Sequence, residues 1–278
     1  MQIHVLSDHG GEQLHRLVRR LRSAETTVAA AREEYYDAYQ DLQQLRRTKS
    51  WWRRALHLNS GAEQQAAARI QFASQGVTDA ELDRQQITDR ARQQAAGVLG
   101  EQALVDGLAT LDDSWTMLRG YHNRRGETDH VLIGPAGIWA IEVKRRRVRL
   151  HVAGEQWWYE KLDARGHTVG SGWAVDATGR TWGRQVLDVA ADLTSWLSRN
   201  GYQVPVRTAV MLMHDQATIG RCDNPTVNVI GTRPAHLLWA IERSGTVLSP
   251  AECRDLLHLT IRDHRLQAQR HNSQPRPA

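Results

Sequence analysis

The sequence lacks the features that mark membrane, secreted and zinc-binding proteins. No stretch of its 278 residues approaches the roughly 18 consecutive apolar residues of a membrane-spanning helix. Its two cysteines, Cys222 and Cys253, are too few and too far apart for a CxxC zinc site or a disulfide framework. A signal peptide has a charged segment followed by an apolar one, and the N-terminus of this chain lacks that pattern. We therefore expect a soluble, cytoplasmic protein without a membrane partner.

Several catalytic motifs are also missing. The chain has no P-loop, no dinucleotide-binding fingerprint, no GxSxG elbow and no HExxH helix. Its 13 histidines show no metal-ligand spacing, and only His130 adjoins an acid of interest. A packed histidine is the favoured interpretation of His130, with a ligand as the alternative. These absences exclude the common P-loop enzymes, dehydrogenases, serine hydrolases and zinc peptidases.

The excess of basic residues favours an acidic partner. The chain has 36 Lys and Arg against 31 Asp and Glu, a net charge of +5 and a pI near 9.5. Nucleic acid is the commonest partner of such a chain, although the same balance also serves solubility. Lysine occurs only at 49, 144 and 161, and arginine fills the other basic positions. A lysine retained at 144 indicates a compact point charge that a planar guanidinium cannot copy.

A β-hairpin is predicted in the middle of the chain. Two apolar runs of strand length, Val131–Ile133 and Ile138–Ile141, flank the turn sequence Gly134-Pro135-Ala136-Gly137. The second run contains Trp139 and leads into charged residues, so the strand leaves a buried environment at its end. Any acid or base at that end would lie at an edge of the sheet.

Three charged residues are predicted to meet at this edge. Asp129 enters the first strand, and Glu142 and Lys144 end the second on one face, because side chains alternate along a strand. Two carboxylates suit a hard divalent cation such as Mg²⁺, and an ammonium stabilises a hydroxide or a developing phosphate charge. The alternative is that these are solvated strand ends. The trio therefore predicts metal-assisted phosphodiester hydrolysis.

The same residues resemble a known family. The segments that carry the resemblance are a Gly-Glu pair on a helix, the hairpin, a Glu-x-Lys segment and a Trp pair: Gly100-Glu101, Asp129–Ile138, Ile141–Lys144 and Trp157-Trp158. They are similar to the nuclease-related domain, NERD, of the PD-(D/E)xK nuclease superfamily, over about residues 97–215. The resemblance implies an α/β, restriction-endonuclease-like core with a mixed β-sheet.

The resemblance also implies roles for individual residues. Asp129 and Glu142 would be ligands of Mg²⁺ or Mn²⁺, with the carbonyl of Val143 as a further ligand, and Lys144 would be the catalytic lysine. Glu101 would be a helix-borne acid beside the site. Gln185 would match a glutamine of the following helix, although the segment before it lacks the Asn-Pro of the family pattern.

A long helical arm is predicted before the core. Apolar residues recur at alternating spacings of four and three, which favours a coiled coil; they are Leu17, Leu21, Ala24, Val28, Ala31, Tyr35, Ala38, Leu42 and Leu45. Whether the partner helix lies in this chain or in another stays open. Ser60–Glu63 and Thr78–Glu81 fit the capping box and predict two further helix starts. The Trp51–Arg54 cluster either closes a hairpin tip or contacts bases or a membrane surface.

The remaining segments complete a mixed α/β core. The predicted elements are strands at Trp115–Tyr121, Gly154–Tyr159, Val204–Met213 and Val227–Ile230, and helices at Arg184–Ser198, Pro234–Glu242 and from Ser249 onward. Residues 166–183 are predicted as an irregular insertion. The predicted domains are a helical arm at 1–95, a nuclease-like domain at 96–265 and a disordered tail at 266–278.

A run of arginines follows the proposed site. Arg145, Arg146, Arg147 and Arg149 either contact a DNA backbone or form a charged strand end. Together the observations predict a metal-dependent nuclease, an enzyme whose substrate is DNA. Two alternatives stay open: a catalytically inactive, nuclease-like module that binds DNA, and an interaction protein that self-associates through the N-terminal helices.

Overall fold

The structure, a computed structural model, describes residues 1–51 and 60–273. It divides into a helical unit, Gly10–Ala95, and a sheet unit, which consists of Met1–His9 and the chain from Ala96 onward. The predicted domain limits of 1–95, 96–265 and 266–278 stay predictions. Most of the predicted Trp51–Arg54 cluster lies outside the described residues.

Two antiparallel helices form the helical unit. Helix α1 spans His9–Thr48 and helix α2 spans Gly61–Gly107. Arg32 of α1 contacts Glu81 of α2 at 2.6 Å, and Asp41 of α1 contacts Arg69 of α2 at 3.1 Å. The later residue of α1 therefore pairs with the earlier residue of α2, as expected for antiparallel helices. The predicted seam positions of α1 are all buried or half-buried. The partner of α1 is therefore a helix of the same chain.

Of the two further helix starts predicted, at Ser60 and Thr78, only the first is correct. At Ser60 the backbone N–H donates to Glu63 Oε2 at 2.7 Å and the hydroxyl accepts from the Glu63 N–H at 3.2 Å, which is a complete capping box. The predicted start at Thr78 is wrong, because the helix is continuous there. Its hydroxyl instead donates to the Ser74 carbonyl one turn earlier, at 3.0 Å.

A six-stranded mixed sheet organises the described part of the sheet unit. Its order is β1-β2-β3-β4-β8-β10; the β2-β3 and β3-β4 pairs are antiparallel, and the β1-β2, β4-β8 and β8-β10 pairs are parallel. The strands are β1 Gln2–Val5, β2 Thr116–Asn123, β3 Gly126–Gly134, β4 Gly137–Lys144, β8 Val206–Leu212 and β10 Val229–Gly231. The fold is the predicted mixed α/β class, and the predicted hairpin is the β3-β4 pair.

A second, four-stranded sheet has the order β7-β6-β5-β9. Its strands are β5 Val148–Ala153, β6 Gln156–Leu162, β7 Thr168–Trp173 and β9 Thr218–Asp223. Strand β7 lies within residues 166–183, so the prediction of an irregular insertion there is wrong for this part. Its Gly-rich sequence has little strand propensity, and the strand forms because it pairs with β6 along its length.

Helices cover both faces of the six-stranded sheet. Helix α3, Trp182–Arg199, and helix α5, Pro250–Ser273, contribute Val186, Leu193 and Leu256 to a core that also contains the inner face of the second sheet. On the other face, the C-terminal part of α2 and helix α4, Pro234–Arg243, pack on Trp139 and Ile141.

Helix α5 is longer than predicted. It continues to Ser273 through part of the predicted tail, because the residues after Arg265 are good helix formers and no proline occurs before Pro275. Residues 274–278 of that tail lie outside the described part of the chain. None of the described helices is both long and apolar enough to cross a membrane.

Candidate active site

The ladder between β3 and β4 ends beside the predicted acids. The last paired residues are His130 and Ile141. Beyond this pair, side chains of β3 form hydrogen bonds with the backbone of β4 in place of the ladder. The Val143 N–H donates to Asp129 Oδ2 at 2.6 Å, and the Thr128 hydroxyl donates to the Ile141 carbonyl at 2.9 Å. These bonds fix the Asp129 carboxylate against the end of β4, next to Glu142.

Glu142 is the most buried acid of the predicted site, at 2 % exposure. Its Oε1 accepts a hydrogen bond from Lys144 Nζ at 2.5 Å. Its Oε2 is buried and has no hydrogen-bond partner within residues 1–51 and 60–273. A buried carboxylate oxygen without a partner is unfavourable and calls for a cation or water. The trio Asp129, Glu142 and Lys144 is thus brought together at one sheet edge.

Lys144 ends β4 between an acid and an aromatic ring. Besides Glu142, its ammonium faces the indole of Trp182, whose centroid lies 6.0 Å away. Arg146 lies over the same ring, at 5.5 Å. Trp182 is the first residue of α3, and the Lys144 carbonyl accepts from the Met213 N–H at 2.8 Å after β8. Two neighbouring elements therefore hold Lys144 in place.

Burial and the neighbouring charges together shift the pKa values of these three groups. It raises the pKa of Glu142 to about 8, an effect that the charge of Asp129 reinforces and the ammonium of Lys144 opposes. Burial likewise raises the pKa of Asp129 against the charge of Lys144. Burial acts to lower the pKa of Lys144, but the two carboxylates outweigh it and raise that pKa above its ordinary value. A divalent cation at this site would favour the ionised acids.

Glu101 reaches the site from α2. The preceding Gly100 permits the close approach, since a Cβ there would lie 2.9 Å from Arg145 Cβ. Burial, then the charge of Asp129, raises the pKa of Glu101 to about 7, although Arg119 lies 3.6 Å from its carboxylate. The charge of Asp129 thus acts on Glu101, and the place of Glu101 in the acidic wall stays a prediction.

Gln185 lies in the first turn of α3. Thr181 caps this helix by accepting from the Arg184 N–H at 3.2 Å, and Trp182 of the same turn lies against Lys144. The Gln185 Oε1 atom is buried and has no hydrogen-bond partner in the described part of the chain. No hydrogen bond joins the Gln185 side chain to an acid of the described residues. The structure brings its helix to the site, and the role of its side chain stays a prediction.

The arginines after Lys144 carry charge that nearby acids do not neutralise. Arg145, Arg146 and Arg147 form no ion pair with a described carboxylate, whereas Arg149 pairs with Glu160 at 3.0 Å. The first of them donates from Nε to the Met213 carbonyl, at 3.2 Å. The Nε atom of Arg147 is buried and lacks a partner among the described groups. The charges of Arg145, Arg146 and Arg147 are therefore not compensated by a described carboxylate.

The predicted packing of His130 agrees with its position. It is fully buried, opposite Ile141, on the sheet face away from Glu142. Burial, reinforced by the charge of Arg119, lowers the pKa of His130 to about 3. A neutral imidazole on that face is separated from the Glu142 carboxylate by the sheet itself.

Sequence reasoning assigned no role to four residues that shape the site. Arg119 contacts Glu101, Trp182 lies against Lys144, and Thr128 bonds the end of β4. The charge of Glu127 raises the pKa values of both Asp129 and Glu142. Thr128 and Glu127 adjoin Asp129 in sequence, which is a usable signal. Arg119 and Trp182 come from distant segments, and no local pattern marks them.

The donor set fits a hard cation only in part. No group of three His, Cys, Asp or Glu residues within the described ranges is arranged to hold a metal ion. Asp129 and Glu142 supply two carboxylates, and Mg²⁺ accepts one or two protein carboxylates with water completing its coordination. The unpartnered Glu142 Oε2 supplies one free acceptor for such an ion.

A mixed sheet that presents an Asp on one strand and a Glu-x-Lys segment on the next defines a nuclease-like α/β domain. Residues 96–213 match the nuclease-related domain family, NERD. This match agrees with the resemblance that the sequence predicted, and it indicates a nuclease-related function for that segment of the chain. No curated protein and no solved structure matches the chain.

Proposed function

We propose that this protein is a Mg²⁺- or Mn²⁺-dependent nuclease that hydrolyses phosphodiester bonds in DNA. The observation that carries the proposal is the buried, unpartnered Oε2 of Glu142 beside Asp129 and Lys144. A carboxylate in this position has little use in packing and is suited to a cation. The NERD match supports the same class of chemistry.

The two carboxylates and the lysine have different tasks in this proposal. Asp129 and Glu142 would hold the ion, with the carbonyl of Val143 as a further ligand. The ion would polarise a water molecule and neutralise charge on the phosphate. Lys144 neutralises Glu142 through its 2.5 Å hydrogen bond and presents a positive charge to the attacking water and the phosphate.

Glu101 and Gln185 would support this centre from two helices. Glu101 completes the acidic wall, and its pKa of about 7 lets it hold or release a proton near neutral pH. Gln185 carries an unpartnered, buried amide oxygen, which would accept a hydrogen bond from bound water or substrate. Both remain in the catalytic set that we propose.

Nucleic acid would be held by the arginines that follow Lys144. Arg145, Arg146 and Arg147 lack carboxylate partners among the described residues, and Arg149 is the next cation along the chain. Phosphate contacts of this kind supply most of the affinity for DNA irrespective of sequence. The net charge of +5 acts in the same direction.

Metal binding and DNA cleavage, measured on matched variants, test the proposal. We expect Mg²⁺ or Mn²⁺ to bind the wild type in titration calorimetry, and Glu142→Gln to lose both metal binding and cleavage of plasmid and linear DNA. Glu155→Gln, which changes a carboxylate with 76 % side-chain exposure, is the control and should keep both. Unchanged cleavage in Glu142→Gln would refute the assigned roles.

A DNA-binding module without activity is the second candidate, favoured by the unpaired arginines. Tight, salt-sensitive DNA binding without cleavage in any divalent metal would support it in place of the nuclease. Self-association through the helical unit is compatible with either function, because Tyr36 and Phe72 expose large apolar surface there. Sedimentation equilibrium of the wild type and Phe72→Ser tests this: a shared monomer mass excludes the homo-oligomer.

A further inference from the structure

The four-stranded sheet has an outer face that the core does not cover. Its inner face contributes Leu150, Val152 and Trp157, all fully buried. Because side chains alternate along a strand, the intervening residues His151 and Trp158 point to the other face. That face carries an aromatic row, defined as His151, Trp158 and Trp173, which lie on the adjacent strands β5, β6 and β7.

The residues of the aromatic row are neighbours across the sheet. His151 and Trp158 are paired in register and stack with their centroids 5.2 Å apart and their planes at 7°. Trp158 is in turn paired with Trp173, which is 65 % exposed on the edge strand. Cross-strand aromatic pairs stabilise a sheet by about 0.2–1 kcal/mol. This stabilisation does not require the Trp173 ring to be exposed.

The backbone of β9 holds the first ring in position. The Arg221 N–H donates to His151 Nδ1 at 3.0 Å. Gly220 makes room for the imidazole, since a Cβ there would lie 2.4 Å from His151 Cε1. The imidazole is therefore fixed beside Trp158, and Trp173 at the other end of the row offers an exposed planar ring. Nucleic-acid bases have that shape, and stacking on aromatic side chains is the main sequence-independent way in which unpaired bases are bound.

The charges around the aromatic row also suit a nucleic-acid strand. The acids on this face are compensated, because Glu160 pairs with Arg149 at 3.0 Å and Asp223 with Arg221 at 2.5 Å. Glu160 also lies 3.5 Å from His151 Nε2. The unpaired charge is positive and belongs to the arginines between Lys144 and β5.

Arg147 connects the proposed catalytic edge to this sheet. Its carbonyl accepts from the Leu162 N–H at 3.1 Å, so it extends the ladder between β5 and β6. It follows Lys144 by three residues and precedes Arg149 and His151 on alternate positions of the strand. A strand of nucleic acid that passes the unpaired arginines would thus meet the aromatic row.

We propose that the aromatic row binds the unpaired bases of single-stranded DNA, and that the substrate of this protein is DNA with a single-stranded segment. The inference rests on the proposed nuclease function and specifies its substrate class. Bases of a duplex are already stacked and cannot reach the row, so the preference follows from geometry. Arg145, Arg146 and Arg147 would contact the backbone of either form.

DNA binding without cleavage tests the inference. Anisotropy of labelled oligothymidine and of a labelled blunt-ended duplex of two strands is measured in EDTA with the full chain. Trp173→Ala should weaken oligothymidine binding by about 5- to 150-fold, the equivalent of one stacked base, and leave duplex binding unchanged. Trp239→Ala removes an equally exposed tryptophan, at 61 %, and is the control. Trp173→Phe should restore binding.

The possible results separate this inference from the nuclease proposal. If Trp173→Ala binds oligothymidine as tightly as Trp239→Ala, the aromatic row does not bind single strands and serves another partner, such as a protein. If both DNA forms lose affinity equally, stacking is also refuted. Cleavage of plasmid DNA with Mg²⁺ is scored separately, and its persistence in either case leaves the nuclease proposal standing.

Discussion

Lys144 is held in position by two neighbours, the buried carboxylate of Glu142 and the indole of Trp182. Lys144→Met removes the charge but keeps much of the side-chain length. We expect the rate of DNA cleavage to fall by about 10²- to 10³-fold, the usual effect of removing one electrostatic stabiliser of a transition state. Mg²⁺ binding should persist, because Asp129 and Glu142 remain. Single-turnover cleavage and calorimetry measure the two effects.

The other lysine of the sheet unit provides the control for this experiment. Lys161 is exposed on β6, and Lys161→Met should cleave DNA at the wild-type rate. Lys144→Arg is also informative, because a planar guanidinium does not copy the compact ammonium. Equal cleavage by Lys144→Met and Lys161→Met would show that Lys144 has no catalytic part.

His130 makes the stability of the fold sensitive to acid. Its pKa is about 3 in the folded protein, because of burial and the charge of Arg119, against 6.5 for an ordinary histidine. Below pH 6.5 the unfolded chain binds a proton that the folded protein does not, so the free energy of unfolding falls as pH falls. The stability that neutral His130 provides is present above pH 6.5 and is lost progressively towards pH 3.

Urea unfolding at two pH values tests whether the free energy of unfolding falls as the pH falls. Between pH 7 and pH 5, His130 should lower the free energy of unfolding by about 2 kcal/mol. His130→Leu should lack this part of the loss, while His167→Leu, at an exposed position, should lose as much as the wild type. A loss in His130→Leu equal to that of the wild type would place the acid sensitivity elsewhere.

At the scale of elements, the approach of α3 to the sheet decides where Trp182 and Gln185 lie. Gly183 permits this approach, since a Cβ there would lie 2.4 Å from the Trp157 indole. Gly183→Ala should lower the free energy of unfolding by about 1–3 kcal/mol through overpacking, and it should also slow DNA cleavage. Thermal unfolding and cleavage rates measure both.

A second helical glycine supplies the comparison. A Cβ at Gly97 meets no described atom within 4 Å, so Gly97→Ala should stabilise the protein by up to about 1 kcal/mol through helix propensity. If Gly183→Ala were as stable as Gly97→Ala, the contact between α3 and Trp157 would not set the position of the helix.

Elements with a strong local pattern were predictable from the sequence, and elements that depend on a distant partner were not. Local sequence patterns predict the seam of α1, the Ser60 capping box and the β3-β4 hairpin. Local patterns do not predict strand β7, which forms because it pairs with β6. They also do not predict the continuous helix through Thr78, because helix formation overrides the local capping signal there.

The candidate site divides in the same way. Asp129, Glu142 and Lys144 were predictable because strand alternation brings them to one edge. The contacts of Arg119 with Glu101 and of Trp182 with Lys144 join residues far apart in sequence, so only the folded chain reveals them. The aromatic row has the same origin, since its members come from three strands.

At the scale of the whole molecule, a modest net charge of +5 conceals an uneven distribution. Many arginines are neutralised by neighbours, such as Arg32 by Glu81 in the helical unit and Arg149 by Glu160 in the sheet unit. The three after Lys144 are not neutralised by described carboxylates. Long-range attraction of DNA should therefore depend on a few positions rather than on the total charge.

The salt dependence of DNA binding measures how many of these arginines contact phosphate. Each contact with duplex DNA adds about 0.9 to the slope of log affinity against log salt concentration, because bound counterions are released. Arg146→Gln should reduce that slope by about 1, and Arg146→Gln with Arg147→Gln by about 2. Arg32→Gln removes the same formal charge and should leave the slope unchanged, since its partner Glu81 already neutralises it. Equal slopes in all variants would show that Arg146 and Arg147 make no phosphate contacts.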